Sequence, residues 1–138
     1  MKILVLNCGS SSLKYKFFDM QTNMELARGQ ADRIGLPDAA FRHEYKHNKT
    51  FIDNKPVKNH HEAVHALLNF LLNKKNDIIS EIKAIDGVGH RVVHGGDSFQ
   101  TSVIIDQSVR KLLENTKILA PLHNPPNLMG IDICTSLM

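Results

Sequence analysis

Near the start of the chain, Asn7-Cys8-Gly9-Ser10-Ser11-Ser12-Leu13-Lys14 places a glycine, three serines and a lysine in one short run. Gly9 can enter a tight turn at positive φ and lets an anion approach the backbone. The serines supply hydroxyl donors where a turn leaves N–H groups unpaired. In an extended strand side chains alternate, so Ser10, Ser12 and Lys14 would share one face, with Leu13 and Tyr15 on the other. Two hydroxyls and an ammonium in a row suit a polyphosphate, and Asn7, at a strand end, could position a metal-bound water. The plain alternative is a polar hairpin turn with an exposed lysine, because serine-rich turns are common.

Two further segments carry chemistry. His90-Arg91-Val92-Val93-His94-Gly95-Gly96 follows a short apolar run, the usual position for ligand-binding residues in an α/β sheet. Arg91 can clamp a carboxylate or phosphoryl group bidentately. Val93, two residues on, shares its face if the strand continues, and a charged clamp beside an apolar wall is what a short-chain carboxylate needs. In Leu119-Ala120-Pro121-Leu122-His123-Asn124-Pro125-Pro126 the prolines fix the backbone and present His123 and Asn124 from a rigid loop. Taken alone, either segment also reads as an exposed loop or a plain connector.

The elements that must position these residues follow from pattern. Ile3–Leu6 and Leu13–Asp19 read as strands joined around Gly9–Ser12, and Glu25–Asp32 as a third strand. Residues 34–58 look like an excursion from the main sheet, with strand-like pieces at Phe41–Tyr45 and Thr50–Ile52. Val64, Leu67, Leu68, Leu71 and Leu72 form one helical stripe, with Asn59 as N-cap and Glu62 completing a capping box. Ala84–Gly89 is a short strand. Val109, Leu112 and Leu113 mark a second helix capped by Asp106 or Ser108. The prolines exclude a helix over Ala120–Pro126, so a third is expected over Leu128–Leu137, with Pro126 near its first turn. The alternation would next supply a further strand, so Ala84–Gly89 is expected to be left as an exposed edge.

Composition sets the outer bounds. The 138 residues suffice for one domain with a core, and 42% hydrophobic with 22% charged residues is ordinary for an α/β chain. The net charge of +3 is spread over lysines such as Lys46, Lys49, Lys55, Lys58, Lys74 and Lys75, too diffusely to argue for nucleic acid. Two cysteines at opposite ends, Cys8 and Cys134, suggest no disulfide framework and hence a reducing compartment. The apolar start is too short for a signal peptide and no stretch approaches a membrane span, so a cytoplasmic protein with no membrane partner is expected.

Asn7–Lys14, His90–Gly96 and Leu119–Asn124, in this order and spacing, resemble the signature stretches of the acetate kinase family; Leu4–Lys14 is the most specific piece. The resemblance covers essentially the whole chain. It implies the N-terminal half of the fold shared by acetate and sugar kinases, Hsp70 and actin: a mixed sheet with flanking helices, here an incomplete acetate- and phosphate-binding domain over 1–138 without its last strand or the nucleotide-binding C-terminal domain. It implies reversible phosphoryl transfer from ATP to acetate, giving acetyl phosphate and ADP, with Mg²⁺ and a homodimeric full-length enzyme. Asn7 would organise the metal, and Ser10, Ser12 and Lys14 would face the phosphates. Arg91 would hold the acetate carboxylate or the transferring group, Val93 and Leu122 would line the methyl pocket, and His123 would stand close to the transferred group. Ser12 and Arg91 should then border one hollow. The family's later aspartate, histidine, arginine and glutamate have no counterpart here, so the 138-residue polypeptide alone is expected to be inactive.

Three other readings compete. Propionate kinase is the nearest, within the same family. His61-Glu62-Ala63-Val64-His65 formally matches the zinc-protease helix pattern, though Glu62 already has a capping role. The exposed strand edge would also suit a non-catalytic chain that acts only by association.

Overall fold

The computed structural model describes residues 1–46 and 49–138. The alternating apolar residues near the N-terminus form strands β1 (Lys2–Cys8) and β2 (Leu13–Asp19), followed by β3 (Met24–Asp32), β4 (Ala40–Tyr45) and β5 (Lys49–Asp53). These five strands run as an antiparallel meander. β6 (Gly87–His90) joins on the far side of β1 and parallel to it, giving the order β5-β4-β3-β2-β1-β6. The segment expected to leave the sheet therefore extends it: Phe41 and His43 alternate inward on β4, and each strand pairs with the one before. β6 is shorter than expected, because a 3₁₀ turn over Ile82–Ala84 precedes it. It terminates the sheet, so the expected edge is present.

Leu4, Leu6 and Cys8 of β1 and Leu13, Tyr15 and Phe17 of β2 point to one face and are buried. Helix α1 (His60–Leu72) packs Val64, Leu67 and Leu71 into this core. Asn59 Oδ1 accepts the Glu62 N–H at 2.9 Å, as the capping pattern predicts, but the Glu62 carboxylate accepts from the Lys58 N–H (2.9 Å) rather than from Asn59. Helix α2 (Gln107–Asn115) is capped by Asp106, whose Oδ1 accepts from the Val109 N–H at 2.8 Å.

Helix α3 (Asn124–Leu137) begins earlier than the prolines suggested. Pro125 and Pro126 occupy its first turn, where their missing N–H groups would have had no intrahelical partner. Ile133 and Cys134 of α3 complete the main core, while Leu128 and Ile131 pack with Leu113 of α2 in a smaller cluster. α3 lies close on the strand beneath it: a Cβ on Gly130 would sit 2.5 Å from Cys8 Sγ. The opposite face of the sheet carries Val5, Lys14, Lys16, Arg28 and Arg42, all exposed. Among the described residues no helix is long and apolar enough to cross a membrane.

Candidate functional site

The serine turn is short. Cys8 pairs with Leu13, leaving Gly9–Ser12 as the connection, and the Gly9 N–H donates to the Ser12 carbonyl at 2.8 Å. Gly9 does not take a positive φ, and a Cβ there would lie 2.7 Å from the rotatable Ser12 Oγ. The carbonyls of the turn are held from inside the protein. Asn127 Nδ2 donates to the Cys8 carbonyl at 2.6 Å, His60 Nε2 to that of Gly9 at 2.6 Å, and the Ile34 N–H to that of Ser11 at 3.0 Å. Among the described residues none of the three serine N–H groups donates to a backbone carbonyl. A turn whose Cys8, Gly9 and Ser11 oxygens are tied inward and whose serine amides and hydroxyls are spare is suited to an anion.

Asn7 and Lys14 are cross-strand partners, and both line a hollow of about 700 Å³ on the open face of the sheet, with Lys16, Arg28 and Arg42 nearby. Ser10 lies apart from them, in a hollow of about 480 Å³ beside His60, His61 and Met129. Strand alternation did not carry through to Ser10 because residues 9–12 form a turn, not an extended strand.

Arg91 follows β6 directly, and its N–H donates to the Leu6 carbonyl at 3.1 Å, which continues the parallel ladder one step. His90 pairs with Leu6 and points toward the helices, where burial lowers its pKa to about 4. Arg91 also borders a third hollow, of about 1030 Å³, between β6, the 95–105 segment and α3. Val93 and Leu122 are 41% and 75% exposed, and His123 is exposed as well. None of these three hollows is bordered by both Ser12 and Arg91.

What joins the segments is the first turn of α3. Asn124, expected as an exposed loop tip, is fully buried. Its Oδ1 accepts the His94 N–H (3.2 Å), and its Nδ2 donates to the His94 carbonyl (2.8 Å) and to the Thr116 carbonyl (3.0 Å). Asn127 Oδ1 accepts the Val93 N–H at 3.1 Å while its Nδ2 holds Cys8. The arginine loop, the serine turn and the Leu122–His123 turn therefore meet at two buried amides. Sequence reading missed Asn127; the available signal was a polar residue one turn into the helix, immediately before the apolar Leu128 and Met129.

Burial raises the Cys8 thiol to about 11, which leaves it unreactive at neutral pH. His61 and His65 are exposed neighbours with ring centroids 4.7 Å apart. No group of three or more His, Cys, Asp or Glu among the described residues could hold a metal ion, and Glu62 is engaged by Lys58.

The family model described as the Acetokinase family matches residues 2–138. An acetate kinase of Caldanaerobacter subterraneus subsp. tengcongensis is 49% identical over all 138 residues, and that of Fervidobacterium nodosum 46%. The chain spans 34% of the length of each, so about a third. Among solved structures, the acetate kinase of Porphyromonas gingivalis superposes with a TM-score of 0.93 at 40% identity, covering 99% of this chain and 34% of that one. A propionate kinase of Francisella tularensis gives 0.88 at 32% identity over the same shares. The mixed six-stranded sheet with its helices is thus the N-terminal half of an actin-like ATPase fold, and the protease reading of His61–His65 falls with this assignment.

Proposed function

Because the chain belongs to the acetokinase family, we propose that it is the phosphate- and acetate-gripping domain, residues 1–138, of a cytoplasmic acetate kinase that transfers a phosphoryl group reversibly from ATP to acetate. A carboxylate oxygen of acetate attacks the terminal phosphorus, the bond to the bridging oxygen breaks, and ADP leaves as acetyl phosphate forms. Such a reaction depends on alignment and on neutralising charge. The observation that supports the reading is the meeting of the serine turn, the arginine loop and the Leu122–His123 turn on the first turn of α3.

In this reading Ser10, Ser12 and Lys14 face the phosphates. Arg91 holds the carboxylate or the transferring group, Val93 and Leu122 form the wall for the methyl, and His123 stands beside the transferred phosphoryl. Mg²⁺ retains several waters and binds largely through substrate phosphates, so the chain's own donors fit it only at one remove, with the Asn7 carboxamide orienting a bound water. When bound, the ion neutralises phosphate charge; the residues of this chain bind and orient. A homodimer is proposed for the full-length enzyme. Propionate kinase is the second reading, supported by the Francisella tularensis structure.

The test is a graft: residues 1–138 replace the matching third of the Caldanaerobacter enzyme, and acetyl phosphate is trapped as its hydroxamate. The graft should turn over acetate, and Arg91→Ala in it should lose roughly a hundredfold or more in rate, while the 138-residue chain alone gives none. A graft that folds, with a cooperative melt, yet makes no acetyl phosphate refutes the proposal.

A further inference from the structure

We infer that Asn127 is a positioning residue that sets the serine turn in register with the arginine loop. This rests on the reading of those two segments as the ligand grip. One carboxamide spends its donor and its acceptor on different motifs. Nδ2 holds the Cys8 carbonyl at 2.6 Å, immediately before Gly9, and Oδ1 holds the Val93 N–H at 3.1 Å, two residues after Arg91. The side chain is buried (3% exposed) and lies about one turn before Gly130, where α3 packs tightly on Cys8 of β1. Leu6 also accepts the Arg91 N–H, but that bond fixes only the base of the loop. Beyond it, Asn127 joins the loop directly to the turn. A planar amide fixes the separation of its two partners, so the Cys8 carbonyl and the Val93 N–H move together or one bond breaks. Asn124, one turn earlier, bonds His94 and Thr116 and does not reach the serine turn. It therefore serves as an internal comparison: buried, on the same helix, and bonded to the arginine loop but not to the serine turn.

The distinction from plain structural support lies in coupling. A residue that only adds stability changes the melt and leaves affinity untouched while the protein stays folded. A residue that sets register changes how the two segments answer a ligand.

The experiment is an amide-resolved NMR titration of the 138-residue chain with acetyl phosphate, alongside hydrogen exchange at Gly9 and Val93, at a temperature where each variant is folded by circular dichroism. In the unaltered chain, shifts at Gly9–Ser12 and Arg91–Val93 should follow one dissociation constant. In Asn127→Leu the affinity should fall roughly tenfold, the loss expected for buried hydrogen bonds; the two sets should cease to titrate together, and Gly9 and Val93 should lose protection in step. Asn124→Leu should expose His94 to exchange and leave Gly9 unchanged. If Asn127→Leu does not fold, Asn127→Asp retains an acceptor for Val93 but no donor for Cys8, and should loosen the serine turn alone. Unchanged affinity with unchanged exchange at Gly9 and Val93 in a folded Asn127 variant overturns the inference. If the unaltered chain shows no shifts, the ligand-grip reading fails, and the exchange data decide the coupling: joint loss of protection supports it, independent behaviour overturns it.

Discussion

The Tyr15 hydroxyl lies 2.9 Å from Nδ1 of His43, inside the core and 28 residues away in sequence. His43 stacks between Phe41 and Phe70, with ring centroids 4.2 and 3.9 Å away. Burial lowers its pKa from 6.5 to about 4, with Asp53 opposing, and burial does the same to His90. Both imidazoles are neutral in the native state at neutral pH. The unfolded chain takes up protons below about pH 6.5, and the native chain only near pH 4, so the unfolded state binds more protons between the two. Stability is therefore full at neutral pH and falls as pH drops through that window, by on the order of 3 kcal/mol for each ring at full effect. The urea midpoint at about pH 5 should lie well below that at about pH 7.5, and the paired change Tyr15→Phe with His43→Phe should remove about half of the difference. Equal pH sensitivity in the paired variant would count against His43 as the source.

Gly29 makes room for the same contact. A Cβ there would collide with the Tyr15 ring and come within 2.7 Å of the Arg42 carbonyl, which is backbone and cannot rotate away. Gly29→Ala should cost roughly 1–3 kcal/mol by denaturant unfolding. Gly9→Ala, which meets only the rotatable Ser12 hydroxyl at 2.7 Å, should cost less. The reverse order would refute this account of the two glycines.

Cys8 of β1 and Cys134 of α3 are both buried, with thiols raised by burial to about 11 and about 12, and Cys8 adding to the shift of Cys134. At about pH 8 neither should react with an aromatic disulfide reagent in the native state, and both should react at once in denaturant. Rapid labelling of the folded chain at either position would show that α3 does not seat as described.

In the grafted enzyme, Val93→Ala should shift the ratio of propionate to acetate turnover upward by about tenfold, since one methylene is worth about 1–3 kcal/mol in an apolar pocket. Matched kcat/KM values for the two acids are the measurement. An unchanged ratio would remove Val93 from the methyl wall.

The strands and α1 were legible because their signals are local: the alternation of Leu4, Leu6, Leu13 and Tyr15, and the stripe from Val64 to Leu72 behind Asn59. Pairing was less so. Phe41–Tyr45 was recognisable as a strand, but its place beside β3 depends on residues well upstream that no local pattern names. The start of α3 is hidden by its prolines, which exclude the helix interior but are tolerated in the first turn. The chemistry-bearing segments were readable as motifs. Their linkage was not, because a buried asparagine acquires meaning only from the groups that meet it, and in Asn127 one of these lies 119 residues away.

That separation bears on how the molecule is made. The β1–β2 hairpin leaves the ribosome early, yet the amide that fixes its turn is synthesised more than a hundred residues later. Until α3 docks, the turn is held only by its own Gly9–Ser12 bond and by Ile34 and His60, and closing the long loop to Asn127 costs entropy. The nascent sheet can therefore assemble before the serine turn is tied to the arginine loop, and that tie is completed only when α3 docks.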